Sequence, residues 1–154
     1  MQCYVIVLWI NSTVSSLLLV ALLSIVQFIF MKKSIEKLVK EAGKDKKILA
    51  VIIFGSYARK EKYSDIDICI VLDDINPAQY SKKRLDYLAK FPALDIHIFQ
   101  QLPIYIKIRV LKEGKVIHCK NDDKLYDIAI RTMKMFELYK PIYNTYLEGV
   151  LHAR

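Results

Sequence analysis

The chain has 154 residues, the length of one compact domain, and its 54% hydrophobic content is ample for a core. Its formal net charge of +8 attracts phosphate-rich partners, but the lysines are spread rather than blocked, so a solvated surface is the simpler account. Cys3, Cys69 and Cys119 are odd in number and unpaired in spacing, which supports neither a disulfide framework nor a zinc site and suits a reducing cytoplasm.

Met1 to Phe30 contains no Asp, Glu, Lys, Arg or His. Leu17 to Phe30 is almost wholly apolar, and a diluted apolar character reaches back to Tyr4. A helix of about 20 such residues can cross a bilayer. Lys32, Lys33, Lys37 and Lys40 follow at once, which would hold the remainder of the chain in the cytoplasm. A cleaved signal peptide fits poorly, since there is no basic start and no small-residue cleavage site. Three readings are therefore open: a single-pass membrane anchor, upstream sequence ahead of a true start at Met31, or a buried helix. The expected division is a hydrophobic helical segment over 1–30 and a folded domain over 31–154.

Ser34 to Ala42 has helical apolar spacing, ended by Gly43. Ile48 to Phe54 and Ile66 to Leu72 are continuous β-branched and apolar runs, which predicts two buried strands. Asp73, Asp74, Asn76 and Pro77 mark a turn. Pro77 to Lys90 predicts an amphipathic helix with Leu85, Leu88 and Ala89 inward. Leu94 to Phe99 alternates as a third strand, with Asp95, His97 and Phe99 on one face. Ile104 to Leu111 fits either a strand or a helix, and Lys115 to Cys119 an edge strand. Leu125 to Tyr139 predicts a helix, interrupted at Pro141, with a last short helix over Tyr143 to Leu151. Strands alternating with helices indicate a small α/β or α+β fold, with a mixed sheet flanked by helices.

The chemistry lies in Val51 to Leu72. An apolar run enters Gly55-Ser56, a polar loop follows, and Asp65-Ile66-Asp67 opens the second apolar run. Residues two apart in a strand share a face, so Asp65 and Asp67 are expected side by side. Two carboxylates held that close repel unless a hard divalent cation, magnesium or manganese, lies between them. If the third strand neighbours the second, Asp95 completes a carboxylate cluster able to hold two metals for phosphoryl transfer. Glycine lets the backbone approach a phosphate, the Ser56 hydroxyl can donate to it, and Arg59 can neutralise its charge. His97 shares a face with Asp95, but a lone strand histidine is more often structural.

Gly55, Ser56, Asp65, Asp67 and the later Asp95 resemble the signature of the nucleotidyltransferase superfamily related to DNA polymerase β, in its minimal nucleotidyltransferase (MNT) branch. The resemblance extends from Met31 to about Leu151 and includes Tyr139-Lys140-Pro141 and Tyr143. It implies transfer of a nucleoside monophosphate, AMP above all, from ATP or another NTP to a hydroxyl, with magnesium or manganese. Asp65, Asp67 and Asp95 would be the catalytic metal ligands; Gly55, Ser56 and Arg59 would bind the nucleotide. The loop from Ser56 to Asp65 is shorter than the family's, and Lys60 stands where many members have a second glycine.

Many MNT proteins are antitoxins paired with a HEPN-domain ribonuclease, so the resemblance implies a HEPN toxin as partner and one of its tyrosines as acceptor. Tyr139, Tyr143 and Tyr146 are candidates for that contact. Two alternatives stand: a non-catalytic antitoxin that acts by binding alone, and an enzyme acting on a small hydroxyl-bearing molecule. No aromatic-basic motif supports nucleic-acid binding.

Overall fold

A computed structural model describes residues 21–152, except 23, 24, 27, 28, 62–64, 74 and 75. The chain divides into two units, Met1–Lys37 and Leu38–Arg154. Within the first, residues 21, 22, 25, 26 and 29–37 are helical, and Leu22, Ile25, Val26, Ile29 and Phe30 are exposed. Most of the expected hydrophobic segment lies outside the described residues. Among those described, no helix is long and apolar enough to cross a membrane.

The second unit opens with helical residues 38–44 (α1), which bury Leu38 and Ala42. Four strands follow in one sheet of order β3-β2-β1-β4: β1 Ile48–Phe54, β2 Asp67–Leu72, β3 Asp95–Ile98 and β4 Lys115–Cys119. β1 runs antiparallel to β2 and β4, whereas β2 and β3 are parallel. The expected mixed sheet is thus present. Every residue of β1 is buried, as continuous β-branched runs demand of a strand covered on both faces. β4 forms the expected edge, where exposed Lys115 disfavours further strand pairing.

The short helix α2 (Gly55–Ala58) continues directly from β1. A 3-10 turn at Pro77–Gln79 leads into α3 (Tyr80–Lys90), whose inward face differs from expectation. Leu85 is 64% exposed and Tyr87 is buried instead. Tyr87 stacks on Phe91 and donates its hydroxyl to Asp45, while Arg84 Nε donates to the Ile96 carbonyl at 2.7 Å. A polar-tipped ring took the face that apolar spacing assigned to leucine, because its hydroxyl has a partner there.

Residues 104–111 are helical, within α4 (Ile104–Glu113). Leu102, Ile106 and Val110 pack with Ala50, Ile52, Phe54, Cys69 and Val71 of the sheet, so the i, i+4 face prevailed over the alternation. Gly114 ends the helix at a position where a Cβ would lie 2.3 Å from the Val110 carbonyl.

α5 (Asp122–His152) is one continuous helix of 31 residues, with Pro141 inside it. The expected break at Pro141 does not occur. Proline withholds one amide from the helical ladder, and here Glu137 and Pro141 are exposed, so water can satisfy the freed carbonyl. Leu125 and Ile128 join the core, whereas Leu138, Ile142, Tyr146 and Leu151 are exposed.

Candidate active site

The site forms where β1 ends and β2 and β3 begin. Gly55 leaves β1 with a φ of +73°, a left-handed conformation that glycine adopts without penalty. A Cβ on it would lie 2.0 Å from Asp67 Oδ2, so the missing side chain makes room for the carboxylate. Ser56 is half-buried in the same turn, and its carbonyl accepts from the Glu61 amide at 3.0 Å.

Asp67 is the first residue of β2 and Asp95 the first of β3, and they are register partners in the parallel pair. Asp95 therefore stands beside the β2 carboxylate, as the adjacency of the third strand required. Because β2 begins at Asp67, Asp65 lies in the preceding loop and is exposed, outside the strand geometry expected to align the two. It is still close enough to act on Asp67. Burial first and the Asp95 charge next push the Asp67 carboxyl above the ordinary range; His97 opposes this, Asp65 adds to it, and Arg109 opposes it least. The site thus concentrates negative charge that a cation would relieve.

His97 is part of this arrangement. Its Nε2 lies 3.1 Å from Asp95 Oδ2, and its ring meets Phe54 edge-on at 5.8 Å. Ligand-type atoms of Asp67, Asp95 and His97 all fall within 4.8 Å of one another. Two carboxylates and an imidazole form a donor set suited to a divalent cation. The close Gly55 backbone leaves the Asp67 oxygen its place. The residues present therefore fit the metal that the signature implies. The signal for His97 was in the sequence, two residues beyond Asp95, but a single histidine in an alternating strand did not distinguish a ligand from a spacer.

Arg59 is committed elsewhere. Its Nη1 pairs with Glu113 Oε2 at 2.7 Å and its Nη2 with Glu61 Oε2 at 2.7 Å. Arg109 of α4 reaches the same Glu113 oxygen at 3.3 Å. Arg109 is a cation near the carboxylates that the sequence did not single out, because its segment could be read as strand or helix. Lys60, at the family's second glycine, has a φ of 61°. A left-handed backbone is one that glycine adopts freely and lysine rarely does.

A parallel strand pair carrying paired carboxylates beside a Gly-Ser turn defines a nucleotidyltransferase-type domain. Residues 36–123, more than half of the chain, match the family model described as Polymerase beta, Nucleotidyltransferase, and the chain belongs to that family. A Methanocaldococcus jannaschii protein, named as a candidate protein adenylyltransferase, is 43% identical over 74 residues, 46% of this chain and 56% of that protein. The chain thus matches little more than half the length of this curated relative. Among solved structures, a chain of a toxin–antitoxin complex with AMP-PNP superposes with a TM-score of 0.58 at 20% identity, covering 77% of this chain and 97% of that one. A chain of the complex between tri-AMPylated Shewanella oneidensis HEPN toxin and MNT antitoxin gives 0.55 at 20% identity, covering 81% and 98%. At such identity the likeness is one of fold.

Proposed function

We propose that this protein transfers a nucleoside monophosphate, AMP in the first instance, from an NTP to a tyrosine hydroxyl of a HEPN-domain toxin and so acts as its antitoxin. The observation that carries the reading is the register pairing of Asp67 with Asp95 beside the cradle left by Gly55. Family membership and the AMP-PNP and AMPylated-toxin complexes among its structural neighbours support it.

Asp67 and Asp95, with Asp65 from the loop, would hold magnesium or manganese. When bound, that ion would neutralise the triphosphate and stabilise charge on the transferring phosphoryl group. Gly55 offers close backbone approach to the triphosphate, and the Ser56 hydroxyl a donor to it. Asp95, 46% exposed, would accept the proton of an incoming hydroxyl. Arg59 would join the triphosphate only by exchanging Glu61 or Glu113 for phosphate, a trade that guanidinium geometry permits.

The acceptor would come from the partner. The distal part of α5 presents exposed Leu138, Tyr139, Ile142, Tyr146 and Leu151, an apolar surface suited to a protein contact. Tyr143 stacks on Tyr105 and meets Tyr139 at a tilt, so it shapes this surface from within.

The test incubates the protein with its HEPN partner, labelled ATP and a divalent cation. Label on a partner tyrosine that disappears in Asp67→Asn and Asp95→Asn supports transfer. Neutralisation of the partner that survives both substitutions, without label, would establish inhibition by contact alone.

A further inference from the structure

Building on the reading that Asp67 and Asp95 hold a divalent cation, the geometry points to His97 as a third, nitrogen ligand that makes the centre favour manganese over magnesium. His97 follows Asp95 by two residues on β3, so strand alternation returns its side chain to the carboxylate face. Its Nε2 stands 3.1 Å from Asp95 Oδ2. Neighbouring ligand atoms on an octahedral ion with bonds of about 2.1 Å lie about 3 Å apart, so this spacing suits two ligands of one ion. Asp67 brings a third ligand atom into the same set, within 4.8 Å of the other two.

The imidazole is also held in place. Phe54, the register partner of Asp67 on β1, meets the ring edge-on at 5.8 Å, and the His97 side chain is only 25% exposed. A ring supported in this way loses little freedom on binding a metal.

The donor type then sets the preference. Magnesium is a hard ion that keeps oxygen ligands and gives up water reluctantly. Manganese also takes carboxylate, and as a softer first-row transition ion it accepts an imidazole nitrogen more readily than magnesium does. A centre of carboxylates alone discriminates less between the two ions than two carboxylates and one imidazole.

Electron spin echo spectroscopy of manganese bound to the full chain reads the ligand directly, without turnover. Modulation from a coordinated 14N nucleus is expected in the wild type and is lost in His97→Gln and His97→Phe, the latter keeping the edge contact with Phe54. Displacement of bound manganese by magnesium should become about tenfold easier in both variants. Bound manganese without nitrogen modulation, or an unchanged displacement curve in both variants, overturns the role of His97 while leaving the carboxylate centre standing. Manganese binding that is unaffected by Asp67→Asn and Asp95→Asn overturns the underlying reading and this inference together.

Discussion

Gly55 lies against the Asp67 carboxylate so closely that a Cβ would come within 2.0 Å of Oδ2. The same glycine has a φ of +73°, so two constraints meet at one position. In Gly55→Ala the left-handed backbone alone costs about 1–2 kcal/mol. The clash adds to this and displaces Asp67 from the place its proposed metal role requires. A misplacement of that kind lowers catalysis on the order of 100-fold. A denaturant melt and the AMP-transfer assay should fall together in this variant.

Asp67 is predicted to cost stability in the absence of metal. Its carboxyl is raised above the ordinary value, first by burial and then by Asp95 and Asp65. Folding therefore disfavours its ionised form. The penalty is complete above the raised folded value and is relieved as pH falls through it towards the ordinary 3.8. Asp67→Asn should accordingly melt higher than wild type at neutral pH, and the gap should close on acidification. Added divalent cation should raise the wild-type Tm and leave the variant unmoved, since a ligand stabilises only the state that binds it. Transfer activity should be lost in the same variant.

Lys60 carries a strain that glycine would remove. Its φ of 61° places an L-residue in the left-handed region. Relief of about 1–2 kcal/mol outweighs the extra unfolded-state freedom of glycine, about 0.4–1 kcal/mol. Lys60→Gly should therefore stabilise the fold by up to about 1.5 kcal/mol in a urea melt. Lys60→Ala, which keeps the Cβ, should show no such gain.

Asp45 anchors α3 to the segment before β1. It pairs with Lys83 and accepts from the Tyr87 hydroxyl and the Lys47 amide, each at 3.1 Å. Burial alone would raise its carboxyl, but the bonds from Lys83, Lys47 and Tyr87 more than offset this and leave it lowered. The resulting stability is present above the ordinary value of 3.8 and is lost as pH falls through the lowered folded value. Asp45→Asn should cost about 1–2 kcal/mol at neutral pH, and the difference from wild type should vanish in strong acid. Thermal melts across that range check it.

Much of the site is legible in the sequence. The apolar runs Ile48 to Phe54 and Ile66 to Leu72 identified two buried strands, because no exposed strand tolerates such continuity. The Gly55-Ser56 turn and the carboxylates after it followed from residue type and spacing. Local sequence carries that information because turn geometry and strand periodicity are properties of neighbours in the chain.

Contacts between distant segments decided the rest. That β3 runs parallel to β2, with Asp95 opposite Asp67, depends on how α3 returns the chain to the sheet, and no periodicity encodes it. The place of His97 beside Asp95 gained meaning only once Phe54 and Asp67 arrived from other strands. Arg59 looked free for a triphosphate until α4 supplied Glu113 from 54 residues away. Segment 104–111 had two compatible patterns, and packing against the sheet chose the helix. Pro141 signalled a break by its chemistry, but an exposed helix leaves the freed carbonyl open to water. The amino-acid sequence by itself determined the two central buried strands, the Gly-Ser turn and the carboxylate motif. Only tertiary packing decided which charges face one another, because electrostatic partnership depends on distance in space rather than along the chain.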